Sequence, residues 1–256
     1  MKAPHPMFPT GSAGKVSTLL LGATVLLLTG CNDNDNASMP QTSPPAEKQI
    51  HYSVEVTNLT AGQPFSPLAL IAHTPGWHVF TTGESASYEL ETLAESGDNG
   101  PLLAAADADK EVLHTESGTG ILAPGQTDTL SFSVSEEEAE GLSFSLVSML
   151  VNTNDAVAAV NDAHLDLLAA GDARTFTLLT YDAGTEANTE SADSVPGPAA
   201  AGGAREGFNP ARDDVRNAVH VHAGVVTQED GLASSTLTGE HRWDHPAVQV
   251  RVTRMD

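Results

Sequence analysis

The chain predicts an all-β fold, an antiparallel β-sandwich with long loops, and three features carry that expectation. Segments that alternate apolar and polar residues with period two recur along it. One stretch, Leu142–Val151, is instead almost continuously apolar, as a strand in the middle of a sandwich would be. Turn-forming residues such as Asn58 and Ala123-Pro-Gly-Gln126 separate the segments.

In chain order, Lys2 and Lys15 precede an apolar stretch, Val16 to Gly30. It is shorter than the ~20 residues a membrane-spanning helix needs, so residues 1–30 read as a signal peptide. The stretch ends in Leu28-Thr29-Gly30-Cys31, which resembles the bacterial lipobox, in which the cysteine thiol takes a lipid and becomes the new N-terminus. Cys31 is therefore expected to tie the protein to a lipid bilayer. It is the only cysteine, so the mature chain has no disulfide although an exported compartment would permit one. The alternative, a free buried thiol, fits poorly behind a leader-like segment. Residues 31–49 are expected to be the lipidated cysteine and a disordered tether, because Asn32 to Lys48 is rich in Asn, Asp, Ser and Pro and almost free of large apolar side chains. Asn32, rather than Asp, after the cysteine points to the outer rather than the inner membrane of a bacterial cell envelope.

Residues 50–256 are expected to form one domain. Ile50–Val56 and Thr129–Val134 alternate as half-buried strands, and Leu142–Val151 is the central one. Phe176–Tyr181, Ala218–His222 and Ala247–Thr253 complete the strand signals. Short helices are expected around Tyr88 to Glu95 and Ala156 to Val160. Ala187 to Arg212 is a long Pro/Gly/Ala-rich loop of the kind that serves function or moves.

The chain has 34 Asp and Glu against 11 Lys and Arg, a formal charge of -23. That balance excludes nucleic acid, whose phosphates it would repel, and direct electrostatic docking on anionic lipid. Membrane contact is left to the lipid on Cys31.

Two acid-bearing turns stand at the ends of apolar strands, Asn152-Thr-Asn-Asp155 and Asp182-Ala-Gly-Thr-Glu186. A hard cation such as calcium collects carboxylate, amide and carbonyl oxygens from turns of this kind. Each turn also has an explanation without metal: Asp182 as an Asx turn with Gly184 at positive φ, and Asp155 as the N-cap of a helix starting at Ala156. Their pairing favours a cation, because two bunched carboxylates repel unless one is neutralised or protonated.

Five blocks carry a resemblance: Phe65–His73, Gly83–Ser87, Leu93–Gly97, Ser148–Asp155 and Tyr181–Glu186. They occur in the order seen in the spondin N-terminal domain family, which includes the matrix proteins F-spondin and mindin and many bacterial exported proteins. The resemblance implies an eight-stranded, C2-like β-sandwich with calcium held by loops at one end. It also implies adhesion or recognition of an extracellular protein or carbohydrate rather than catalysis. Carried over residue by residue, the family's two aspartate ligands fall on Asp155 and Asp182. Its third ligand, a strand glutamate, has no match; the alignment leads to Ser133, and Glu136 is the nearest carboxylate to take that place. The Trp that follows the family's first aspartate is Ala156 here, and the family's disulfide cysteines are missing.

The rival readings are a His-based metalloenzyme and a purely structural envelope lipoprotein. His220 and His222 fall on one strand face, and His241 and His245 could add nitrogens to a zinc, iron or copper site. Phosphate loops, a Gly-x-Ser-x-Gly elbow and a cysteine nucleophile are absent from the sequence. Trp77 and Trp243 could line a sugar-binding face, but their bulk favours packing.

Overall fold

The computed structural model describes residues 47–200 and 208–256. The expected signal peptide, Cys31 and most of the expected tether lie outside the described residues. The strands are β1 (Gln49–Asn58), β2 (Ala69–His73), β3 (Val112–Ser117), β4 (Thr127–Ser135), β5 (Ser143–Met149), β6 (Ala156–His164), β7 (Ala173–Asp182), β8 (His220–Val221) and β9 (Val248–Arg254). Two helices, α1 (Tyr88–Ser96) and α2 (Gly100–Asp107), lie between β2 and β3. The strands pair in the order β3-β2-β5-β6-β7-β9-β1-β4, all antiparallel, with β8 added beside β7. The sheet nearly closes into a barrel-like sandwich.

Alternation in sequence becomes sidedness in the sheet. Ile50, Tyr52, Val54 and Val56 of β1 point into the core beside Leu130, Phe132 and Val134 of β4 and Val248, Val250 and Val252 of β9. Tyr52 and Phe132 are cross-strand partners whose rings stack at 4.9 Å. On these strands the intervening residues face out, as the period predicts.

β2 and β5 are buried along their whole length because both faces are covered. Leu70, Phe144 and Leu146 face the core between the two leaves, while Ala69, Ile71 and Val147 face a second core under α1 and α2. Leu90 and Leu93 of α1 enter that second core fully buried, each contributing about 2 kcal/mol by removal from water. The Ser87 hydroxyl caps α1 by accepting from the Leu90 N–H at 3.1 Å, and Gly97 ends it at a φ of 73°.

β7 joins the two leaves. Ala173–Leu178 pairs with β9, whereas Leu179–Asp182 pairs with β6. This change of partner brings the C-terminal end of β7 beside the first residue of β6.

The helix expected over Ala156–Val160 is strand β6. Its alanines are good helix formers, but the segment lies between β5 and β7 and its backbone groups are taken by both neighbours. Asp155 is accordingly not a helix N-cap. The strand expected over Ala218–His222 shrinks to β8, and α2, with Pro101 in its first turn, had no counterpart among the expected helices.

Candidate functional site

The site is built where β5 ends, β6 begins and β7 ends. Leaving β5, the chain turns through residues 151–155, and the Thr153 hydroxyl holds the turn by donating to Leu150 O at 2.6 Å and accepting from Ala156 N at 3.1 Å. Asp155 then stands directly before Ala156, whose register partner is Asp182. The two expected aspartates therefore meet, Asp155 0% exposed and Asp182 1% exposed.

Their hydrogen bonds are unequal. Asp155 Oδ2 accepts from Thr185 N (2.8 Å), the Thr185 hydroxyl (3.2 Å) and Glu186 N (3.1 Å), whereas Asp155 Oδ1 is buried with no partner. Asp182 Oδ1 accepts from Gly184 N at 2.8 Å, which is the Asx turn, and its Oδ2 accepts from the Asn188 amide at 2.6 Å. Gly184 has a φ of 72°, and a Cβ there would lie 2.5 Å from Ala218 N. Only glycine fits, because the turn is both left-handed and pressed against the next segment.

A third buried acid, Glu190, is tied through its backbone to the turn before Asp155. Glu190 is 1% exposed and, unusually for a non-glycine residue, has a φ of 54°. Its N–H donates to Asn154 Oδ1 at 3.2 Å, its carbonyl accepts from Thr236 N at 2.8 Å, and its Oε1 accepts from Val226 N at 3.2 Å. Glu190 Oε2 is buried without a partner. Asn154 also donates to Glu186 at 3.5 Å, so one amide links the turn before Asp155 to two glutamates of the following loop.

Charge is concentrated here with little to balance it. Burial, reinforced by the Asp182 charge, pushes Asp155 up to about 7 against the N–H groups of Thr185 and Glu186. Burial does the same to Glu190, pushed up to about 7, where the Val226 N–H opposes and Asp182 adds to the rise. Among the described residues no Lys or Arg pairs with Asp155, Asp182 or Glu190. His220 Nε2 approaches Asp182 Oδ2 at 3.8 Å. On α1, Glu95 accepts from Asn209 N at 2.8 Å, and burial raises it too.

Glu136 is not brought to this cluster. It follows the last residue of β4, whose register partner is the first residue of β1, and it pairs with Lys48 at 2.6 Å on the surface. Glu136 precedes β5 and Asp155 follows it, so the seven residues of β5 hold them apart by roughly 20 Å. Asn152 is also occupied elsewhere: its amide donates to Gly62 O and accepts from Ala199 N.

The four histidines do not form a common nitrogen site. His222 Nδ1 accepts from the Gly224 N–H at 2.9 Å, so in the neutral ring the hydrogen is on Nε2, which is buried without a partner and offers no lone pair to a metal. His241 Nδ1 accepts from Thr238 N at 3.0 Å in a local cap, and His245 is exposed. Trp243 packs against the core, its ring 5.3 Å from that of His222 and its N–H on the Thr180 hydroxyl. Trp77 likewise packs against the helix-side core.

The donor set suits a hard cation in kind: carboxylate and amide oxygens, two of them buried and unbonded, with no thiolate. Among the described residues, however, no three His, Cys, Asp or Glu side chains already close around one point. A bound ion would have to draw the unbonded oxygens inward. Glu190 went unread in the sequence because it stands in a Thr/Ser/Ala loop with no motif; only its burial marks it.

The profile of the family described as Spondin_N matches residues 52–199, more than half of the chain and the whole span of both aspartate turns. No curated protein matches the chain.

Proposed function

The chain belongs to the spondin N-terminal domain family, and on that premise we propose that it is an exported, lipid-anchored module whose loop end binds calcium and recognises an extracellular protein or carbohydrate. The family makes this an extracellular or ligand-recognition domain; the calcium, the anchor and the adhesive role are the further steps. One observation carries the calcium step. Asp155 and Asp182 are buried together, and Asp155 keeps an oxygen with no hydrogen bond. Such an arrangement is costly in water-free surroundings unless a proton or a cation relieves it.

Asp155 Oδ1 and Asp182 would hold the ion. When bound, calcium would supply positive charge that neutralises both carboxylates and joins the turn before β6 to the turn after β7. The protein's own groups already prepare this: Thr185 and Glu186 N–H hold one side of Asp155, and Gly184 N–H and Asn188 hold Asp182. With those bonds in place, ligand-facing loops 183–200 and 218–247 would be set on a rigid base.

The family is not known for catalysis, and the tautomer that Gly224 imposes on His222 speaks against the histidine metalloenzyme. Thermal melts of the chelated protein with and without calcium test the reading. Calcium should raise the melting temperature of the wild type and leave Asp155→Ala and Asp182→Ala unmoved. Identical melts of the wild type in calcium and chelator would remove the cation from the proposal. The anchor is tested separately by incorporation of a labelled fatty acid, which Cys31→Ser should abolish.

A further inference from the structure

We propose that residues 208–217, which run between α1 and the turn after β7, form a latch over the buried aspartates, and that Arg212 is the positioning residue that holds it shut from Glu91. The latch does not rest on the calcium reading, because it governs access to Asp155 and Asp182 for a proton as much as for an ion.

On one side the segment is fastened to α1. Arg212 Nη2 donates to Glu91 Oε2 at 2.5 Å and to Ala86 O at 2.8 Å, and its Nη1 donates to Asn217 Oδ1 at 3.0 Å. The Ser85 hydroxyl in turn donates to Asn217 O at 2.9 Å. Asn209 N–H donates to Glu95 Oε2, and the Phe208 ring meets Tyr88 edge-on at 5.1 Å. Tyr88, Glu91 and Glu95 stand at i, i+3 and i+7, so the segment follows one face of the helix. Glu91 is only 4% exposed, a state that glutamate rarely occupies without a partner, and Arg212 is that partner.

On the other side, the next residue reaches the site. Asp213 N–H donates to Thr185 O at 3.1 Å, and its carboxylate accepts from Ala187 N at 2.7 Å. Thr185 and Glu186 are the residues whose N–H groups bond Asp155 Oδ2. Two adjacent residues, Arg212 and Asp213, therefore join α1 to the turn that caps Asp155. The segment has no core of its own: none of residues 208–218 is buried, and none belongs to a helix or strand. A stretch held mainly by polar bonds opens more readily than packed strands do. The aspartates are 0% and 1% exposed, so some element must move before anything reaches them, and this one is the least anchored. Removing Arg212 would leave Glu91 buried without its opposite charge, which makes this ion pair the fastening on which the others depend.

Amide hydrogen exchange on the full chain, read residue by residue by NMR, tests the latch. In Arg212→Gln the Thr185, Glu186 and Asp213 amides should exchange about tenfold or more faster than in the wild type, as expected for losing a hydrogen bond to a charged group. Val54 of β1 and Val250 of β9 should keep their rates, and Arg212→Lys, which retains the charge beside Glu91, should recover part of the protection. Unchanged Thr185 and Glu186 in Arg212→Gln would overturn the proposal. A rise shared equally by Val54 and Val250 would overturn it too, since that is a loss of global stability alone. Should Arg212→Gln not fold, exchange of the wild type in rising urea below its unfolding transition decides instead. Thr185, Glu186 and Asp213 opening together, ahead of Val54 and Val250, supports the latch; Thr185 and Glu186 opening only with β1 and β9 refutes it.

Discussion

Replacing Asp155 with asparagine should make the calcium-free protein more stable at pH 8, although it removes a residue from the site. The reason lies in the state of the carboxyl. Asp155 is fully buried, and burial with the neighbouring Asp182 charge lifts it from the ordinary 3.8 to about 7. At pH 8 the group is ionised in the fold, and the rise corresponds to roughly 4 kcal/mol of lost stability. Part of that belongs to the pair, because one proton relieves both carboxylates. Asparagine keeps an acceptor for the Thr185 and Glu186 N–H groups, and its NH2 can donate toward Asp182. A net gain of about 2 to 4 kcal/mol would raise the melting temperature by roughly 5 to 15 °C for a domain of this size. Circular-dichroism melts at pH 8, run in chelator and in millimolar calcium, read both halves of the prediction. In chelator the variant should melt above the wild type, and in calcium it should show no further rise. A variant that melts below the wild type in chelator would refute the idea that the buried charge is a burden.

Titration should show the same logic across pH. Asp155 and Glu190 are pushed up to about 7 and Glu95 is raised, so each holds its proton more tightly in the fold than in the unfolded chain. Their contribution is complete below ordinary carboxylate values and is lost as pH rises through about 7. His73 and His222 are lowered by burial, so their contribution is present above about 6.5 and lost as pH falls below it. Because three raised carboxyls outweigh two lowered imidazoles, stability in chelator should fall as pH rises from about 5 to 7, and stability that climbs steadily from pH 6 to 8.5 would contradict these assignments. Gly184→Ala should lower unfolding stability by about 2 kcal/mol or more in urea, because the new methyl group meets Ala218 N in a left-handed turn. Leu90→Ala should lower it by about 2 to 5 kcal/mol, since the side chain fills the helix-side core; a loss under about 0.5 kcal/mol would mean that α1 does not seal the sheet.

Much of the architecture was legible in the residues. Period-two alternation identified β1 and β4, the strand signal over Ala247–Thr253 is β9, and the continuous apolar run identified β5 as a central strand. The short helix expected around Tyr88 to Glu95 is α1, which the structure caps with Ser87 and Gly97. β6 was misread because Ala-rich composition favours helix when neighbours are ignored, and only pairing with β5 and β7 settles it. The two aspartate turns were visible as motifs, whereas Glu190 carries no motif. Glu136 lay close in sequence to the expected ligand position, yet the length of β5 separates it from Asp155.

By itself, then, the order of residues determined which segments are strands, where the acid turns fall and which family they resemble, because those properties depend on neighbours along the chain. The tertiary structure decided which strand ends meet. β7 changes partners midway, and that switch alone sets Asp182 opposite Ala156, next to Asp155. It also buries Glu190 on the Asp155 turn and leaves Glu136 on the surface with Lys48. Register and topology set distances between residues far apart in sequence, and no local pattern encodes them.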